Sequence, residues 1–202
     1  MAERRMSSRR WAIACAVVVL GAVVLASGVI AGQFRAADPE AFQAALATGE
    51  ITRVAEIPAG DGHNGRGVFA QTTDTGQLCV WDAPSASSRE RQGGCNPTND
   101  PLGGSAVSAS LAYDGGPAIE SVRDARLSGL AASGVASVAV LMSDGSERAV
   151  RLTTTSLDSG DFVAFGYRFK KVDLRKGVGP VAVIARGADG TELARQPTGI
   201  GG

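Results

Sequence analysis

The chain has 202 residues, with 20 Lys plus Arg against 20 Asp plus Glu, and this formal charge of zero argues against nucleic acid as a partner. At 44% hydrophobic and 20% charged residues it is too apolar for disorder throughout, while 5% aromatic residues and 27 Gly leave a lean core built from Val, Ala and Leu. The length holds one ordinary domain or two very small ones.

The zero is a sum of two unlike parts. Residues 1–35 carry Arg4, Arg5, Arg9, Arg10 and Arg35 against Glu3, or 5 − 1 = +4, so residues 36–202 carry 15 positive and 19 negative side chains, or −4. After a basic tail over 1–10 comes a span over 11–32, of which Trp11 to Ala31 is 21 residues without a charge. At the rise of an α-helix that run reaches about 31 Å, the hydrocarbon thickness of a bilayer. It reads as a transmembrane signal anchor, because the apolar region of a cleavable signal is shorter, at about 7 to 15 residues. Small residues at Ala26-Ser27-Gly28 and Val29-Ile30-Ala31 keep open the alternative of a secreted protein released by signal peptidase. Ser8-Arg9-Arg10-Trp11-Ala12 is similar to a twin-arginine export signal, but Ala12 stands where such signals carry a bulky residue. Four arginines before the span against Arg35 after it place the amino terminus in the cytoplasm and the rest outside. Gly28 and Gly32, with Ala22 and Ala26, make a small-residue face through which two such helices can pair weakly.

Residues 33–50 read as a juxtamembrane linker with one helix over 39–48. Asp38 caps it, Pro39 suits its first position, Glu40 favours the positive end of its dipole and Gly49 stops it. No second helix is signalled. The remainder, 51–195, reads as an extracytoplasmic antiparallel β domain, with strands near 51–57, 66–73, 77–83, 105–113, 119–130, 135–142, 147–154, 161–169, 180–187 and 191–196. A subdivision near 114–120 stays open, so the segment from Ile51 to Tyr113 is either extra strands on one sandwich or a small subdomain. Residues 196–202 are expected to fray as a disordered tail.

Three hairpins can be set in register. A three-residue loop at Asp74-Thr75-Gly76, with Gly76 left-handed, places Phe69 opposite Trp81 and Ala70 opposite Val80. The same loop at Ser143-Asp144-Gly145 pairs Val138 with Val150 and Ala136 with Leu152. At Ala188-Asp189-Gly190 it pairs Arg186 with Glu192 and Ala185 with Leu193. From about Arg126 to Arg195 the pattern is that of an immunoglobulin-like or fibronectin-like β-sandwich, without a cysteine to make a cross-sheet bridge.

Beyond the span there are two cysteines, Cys79 and Cys95, and in an oxidising compartment they are expected to pair. The bridge closes 15 intervening residues, worth about 3 kcal/mol in the chain-entropy view. A redox or metal pair is disfavoured by the spacing and by the lack of a neighbouring His. The polar stretch 84–94 between them shows no apolar periodicity to hold it down.

The motifs that imitate known chemistry fail on context. Gly60-Asp61-Gly62-His63-Asn64-Gly65 spells a dinucleotide-binding pattern, yet a strand follows it instead of the helix that would hold a pyrophosphate, so it reads as a mobile hairpin loop and no cofactor is expected. Tyr167 and Lys171 imitate a dehydrogenase pair, but on a strand residues four apart do not meet. His63 is the one histidine, in a glycine-rich loop; with Asp61 it gives two metal ligands and no third. Asp158 and Asp161 make a turn and lack the oxygen alternation of a calcium loop. No catalytic residue is assigned, although a hydrolase using paired carboxylates stays an alternative, since such a pair is defined by distance in space.

The one charge cluster is Arg168, Lys170, Lys171, Arg175 and Lys176. On a strand Arg168 and Lys170 would share a face with Lys171 opposite, which gives either a charged sheet edge or a contact for an anionic surface such as lipid headgroups or an acidic wall polymer. An excess of 17 Arg over 3 Lys, with abundant Ala, Gly and Val, fits a GC-rich bacterial genome. The expected partners are the membrane and an unidentified envelope protein or wall polymer, and the expected role is that of a binding or interaction module.

Overall fold

The computed structural model describes residues 50–200. The predicted tail and span over 1–32, the helix over 39–48, Arg4, Arg5, Arg9, Arg10, Gly28 and Gly32 lie outside those residues. Among the described residues no helix is long and apolar enough to cross a membrane.

Among the described residues, twelve antiparallel strands form three sheets of four. The first sheet is a meander of β1 (Thr52–Ile57), β2 (Arg66–Thr72), β3 (Gln77–Ala83) and β4 (Gln92–Pro97), in sequence order. The other strands are β5 (Val107–Gly115), β6 (Val122–Ala132), β7 (Ser137–Met142), β8 (Glu147–Val150), β9 (Leu152–Leu157), β10 (Gly160–Arg168), β11 (Pro180–Arg186) and β12 (Glu192–Pro197). They divide into a middle sheet of order β5-β6-β10-β9 and a third sheet of order β12-β11-β7-β8.

The middle sheet is covered on both faces, and the alternation of its side chains shows how. On β6, Ala125, Leu127 and Ala131 join Val163 and Phe165 of β10 in a core with Val138, Val140, Val150, Val183 and Ala185 of the third sheet. The residues between them, Leu130 on β6 and Phe162 and Ala164 on β10, pack instead with Val54, Ile57, Val68, Ala70 and Leu78 of the first sheet. Double burial shows on β6, where every residue from Asp124 to Ala131 is buried, Arg126 and Ser128 included. A smaller cluster lies on the outer face of the first sheet, where the Phe69 and Trp81 rings stack at 6.0 Å beside the disulfide.

The hairpin registers expected from the loops hold at the turns and drift away from them. Phe69 faces Trp81, Ala70 faces Val80 and Val138 faces Val150, with Gly76 and Gly145 in the left-handed region at φ 72° and 80°. Arg186 faces Glu192 as expected, but a bulge just beyond sets Ala185 against Ala194 in place of Leu193. Ala136 does not face Leu152: the chain changes sheets at Arg151, so β8 ends in the third sheet and Leu152 starts β9 opposite Phe165 in the middle one.

Three further expectations are corrected. Residues 92–94, assigned to a loop, belong to β4, an edge strand whose QGGCNP sequence hides its character; Gly93 lies so close to Trp81 that a Cβ there would sit 2.5 Å from the Trp81 Cα. A short helix α1 (Lys171–Arg175) follows β10, between the strands expected over 161–169 and 180–187, where no helix was expected, and its Leu174 is buried. The expected tail from 196 is bound in part: Gln196 exchanges two hydrogen bonds with the Ala109 backbone, at 2.8 and 2.9 Å, standing in for a neighbouring strand at the free side of β5. The possible division near 114–120 falls on the connection between β5 and β6, neighbours in one sheet, which holds a 3₁₀ turn at Ile119–Ser121.

Where β1 crosses β10 the backbones touch. A Cβ at Gly166 would meet the Glu56 carbonyl oxygen at 2.6 Å and Ile57 Cγ1 at 2.7 Å. Gly166→Ala is therefore expected to lower stability by about 1–3 kcal/mol, measured as a shift in the urea midpoint with unchanged slope. A midpoint equal to that of the parent would mean that the first sheet is not seated against β10 as described.

Candidate functional site

The inner faces of the first and middle sheets are apolar at one end of β1 and charged at the other. At the Glu50 end, a groove of about 340 Å³ is lined by Glu50, Thr52, Thr72, Ser156, Leu157 and Asp158 among others. At the Pro58 end lies a largely buried network of three arginines and three aspartates, with Asp114 its exposed member. The alternation that sends Phe162 and Ala164 toward the first sheet sends Arg168 the same way, and on β6 it aligns Asp124 and Arg126 with Leu130.

Arg126, with its side chain 3% exposed, is the hub. Its Nη1 donates to Asp124 and, at 3.1 Å, to Asp114; its Nε donates to Asp82 at 3.2 Å and its Nη2 to Gln92 Oε1 at 2.9 Å. Arg66 donates to the same Asp82 oxygen at 2.5 Å and to the Glu90 carbonyl at 2.9 Å. Arg168 completes the set, donating to Asp124 at 2.8 Å and to the backbone oxygens of Pro58 and Asn64 at 3.0 and 2.9 Å. The network thus joins three of the four strands of the first sheet to three of the middle sheet.

Burial pushes the Asp82 carboxyl above its usual range, opposed by the guanidiniums of Arg126 and Arg66. Burial likewise pulls Arg168 down, with Asp124 opposing it. At Arg126 burial acts in the lowering direction and is outweighed by Asp82, Asp124 and Asp114, which hold it above the usual arginine value. Every ion here is compensated by opposite charge, the condition for charges to persist away from water.

Of the five residues expected to make a basic surface, Arg168 is corrected to the interior. The other four stay together. β10 ends at Arg168, and Lys170 precedes α1, which carries Lys171 and Arg175 and is followed by Lys176. Lys170, Arg175 and Lys176 are exposed and Lys171 is half-buried. The Phe169 amide donates to the Ala125 carbonyl at 3.0 Å, continuing the β6–β10 register and bringing the exposed Arg123 alongside.

The glycine-rich loop expected to be mobile is a tight hairpin fastened at two points. Gly60 and His63 exchange backbone hydrogen bonds at 3.0 and 2.9 Å around Asp61 and Gly62, whose φ values of 52° and 83° suit a type I′ turn. Asp61 Oδ2 accepts from the Lys171 amide at 2.7 Å, while Arg168 holds Pro58 and Asn64 from below. The Asp61 carboxylate is thus engaged by the first amide of α1, and the turn opens into β2. Among the described residues no group of three His, Cys, Asp or Glu side chains is placed to hold a metal ion.

Cys79 and Cys95 are disulfide-bonded as expected and stand directly opposite in the β3–β4 register. The connection 84–91 that they enclose folds back over the first sheet. Its Arg91 lies 5.5 Å from the Trp81 ring centroid and donates to the carbonyls of Ser88 and Ala86 at 2.8 and 3.0 Å. An arginine supplies the hold that apolar periodicity does not.

The chain matches no protein-family model, no curated protein and no solved structure at a significant level.

Asp124→Asn removes the charge shared by Arg126 and Arg168 and is expected to destabilise the domain by about 3–5 kcal/mol in urea unfolding. Glu147→Gln, which breaks an exposed pair with Arg186 at 2.6 and 2.8 Å, is expected to leave the midpoint near that of the parent. Equal, small effects would contradict a structural role for the buried network.

Proposed function

We propose that this is a single-pass protein of the bacterial envelope whose extracytoplasmic β domain is a binding or interaction module, with no catalysis of its own. The span over 11–32 and the arginines at 4, 5, 9 and 10 carry the anchored reading and its orientation. The Cys79–Cys95 disulfide supports it independently, since such bonds persist in oxidising compartments.

The finer fold we propose is an immunoglobulin-like sandwich carrying an extra layer. Taking β5 to β12 as strands A, B, C, C′, D, E, F and G, the sheet orders are A-B-E-D and G-F-C-C′, the arrangement of that class. The first sheet then covers the outer face of the A-B-E-D sheet. A sandwich of this kind hosts many functions, so the argument for binding comes from the site.

The observation that carries the binding reading is the fastening of one end of the domain. Arg168, Asp124 and Arg126 fix the sheets beneath, Asp61 ties the 58–65 hairpin to α1, and the exposed basic side chains stand on that support. A surface held in this way keeps its shape before a partner arrives, which lowers the ordering cost of association. The hydrolase alternative asks for two carboxylates free to meet a substrate; Asp82, Asp114 and Asp124 each bond an arginine, whereas Glu50 and Asp158 both line the groove at the other end of β1.

A fusion of alkaline phosphatase after residue 202 is expected to be active in cells and to sediment with membranes, whereas a cytoplasm-dependent reporter at the same place is expected to be silent. The reverse pattern would contradict the orientation. A mature chain whose first residue lies after position 26 would establish release by signal peptidase instead.

A further inference from the structure

We propose that the free edge of β9 is a self-association surface, on which a second copy of this chain adds its own β9 antiparallel and joins the two middle sheets into one. The inference goes beyond the binding reading above and stands on the β domain alone.

The edge is open by its backbone. β9 is the last strand of the middle sheet, and its ladder with β10 runs from Leu152 to Leu157 without a register shift. Leu157 and Gly160 pair around a two-residue turn, which makes them a hydrogen-bonded pair. The alternation of an antiparallel ladder then turns the N–H and C=O groups of Thr153, Thr155 and Leu157 toward β10. Those of Leu152, Thr154 and Ser156 point the other way, where no described residue bonds them. The side chains of Thr153, Thr154 and Ser156 are exposed beside that edge.

The edge is also unguarded in sequence. Among the described residues the other edge strands each carry a device that discourages pairing. β1 has a bulge between Arg53 and Ala55, and β4 holds two glycines and ends on Pro97. β5 is capped by Gln196, β8 is four residues long with Glu147 and Arg148 in it, and β12 carries Glu192 and Arg195 and ends on Pro197. β9 reads Leu-Thr-Thr-Thr-Ser-Leu, uncharged, β-branched at its centre and free of Gly and Pro.

Charge complementarity selects a second copy as the occupant. Arg151 stands exposed just before β9 and Asp158 exposed just after it, and neither is paired with a described residue. The Asp158 end is acidic beyond that one residue: Glu50 lines the same groove, and Asp161 accepts the Ser156 hydroxyl at 2.6 Å. A parallel copy would set like charge against like. About a twofold axis at Thr154 the strand is instead its own antiparallel complement. Thr154 then faces the second copy's Thr154, Leu152 faces its Ser156 and Thr153 faces its Thr155, so every outward backbone group meets an outward group. Arg151 comes to the second copy's Leu157, with its Asp158 next in line.

The test uses the full chain in detergent solution. With Cys15→Ser, a Thr154→Cys chain has one free thiol, because Cys79 and Cys95 are bonded to each other. Mild oxidation is expected to link it as a dimer, since facing residues of a hydrogen-bonded pair lie about 5.5 Å apart between Cα atoms, within reach of a disulfide. Leu193→Cys, on the exposed edge strand β12, is expected to stay monomeric. In sedimentation Thr154→Lys should dimerise more weakly than the parent by on the order of tenfold, with an unchanged circular dichroism spectrum. Arg151→Asp and Asp158→Arg should each weaken the dimer, and their combination should restore it. A parent chain that sediments as a monomer throughout overturns the proposal. So does a Thr154→Cys chain that links no more than Leu193→Cys, or a double reversal that associates no better than either single change. A dimer abolished by Gly28→Leu with Gly32→Leu and indifferent to Thr154→Lys assigns the contact to the span and overturns it equally. Each of these results leaves the anchored reading to the reporter fusions, so the two can fail separately.

Discussion

The two central strands of the middle sheet, β6 over Asp124–Ala131 and β10 over Phe162–Gly166, have no solvent face, and most of the molecule answers to that constraint. Strands covered on both sides cannot hide polar residues by turning them outward, so their inward side chains are apolar or ion-paired, the buried Ser128 hydroxyl excepted, which has no hydrogen-bond partner. Toward the third sheet β6 and β10 meet the demand with Ala125, Leu127, Val163 and Phe165. Toward the first sheet they meet it with two chemistries, apolar near the Glu50 end and ionic near the Pro58 end, where Asp82 and the loop carbonyls opposite complete the pairing that Asp124, Arg126 and Arg168 begin within the middle sheet. The four-stranded meander is thus the other half of an interior that neither sheet closes alone.

That arrangement links stability to display. The network ends where the loops begin: Arg168 is the last residue of β10, and two residues later the chain turns into α1 and its uncommitted cations. The charges that hold the sheets together and those that stand in solvent are therefore consecutive in sequence and opposite in role. The disulfide and Arg91 do comparable work on the outer face, where they keep a polar connection over Trp81 without an apolar anchor. Arg66, Arg91, Arg126 and Arg168 are the fastening residues, and lysine is confined to the turn that it shares with Arg175.

The parts legible in the sequence were those fixed by local chemistry. Turn glycines set hairpin registers near the turns, and Cys79 and Cys95 had only each other to pair with among the described residues. What could not be read depends on partners distant in sequence. The A-B-E-D and G-F-C-C′ orders require knowing that the chain changes sheets at Arg151, a residue that looks like any other exposed strand position. The inward course of Arg168 depends on Asp124, 44 residues earlier, and on the Pro58 and Asn64 carbonyls, 110 and 104 residues away in hydrogen-bond terms. β4 was masked by two glycines and a proline that an edge strand tolerates and a central one would not. The one available signal for the network was the unusual presence of Asp82, Asp124 and Arg126 within otherwise apolar strands.

The central claim is that the three sheets form one cooperative unit through a doubly buried middle sheet. Native-state amide hydrogen exchange on the full chain tests it most directly. The account predicts that the slowest amides of the first sheet, around Val68, Ala70 and Val80, open with the same free energy as those at Leu127 and Phe165, within about 1 kcal/mol. A first sheet that opens several kcal/mol more easily, while the middle and third sheets keep their protection, would contradict it.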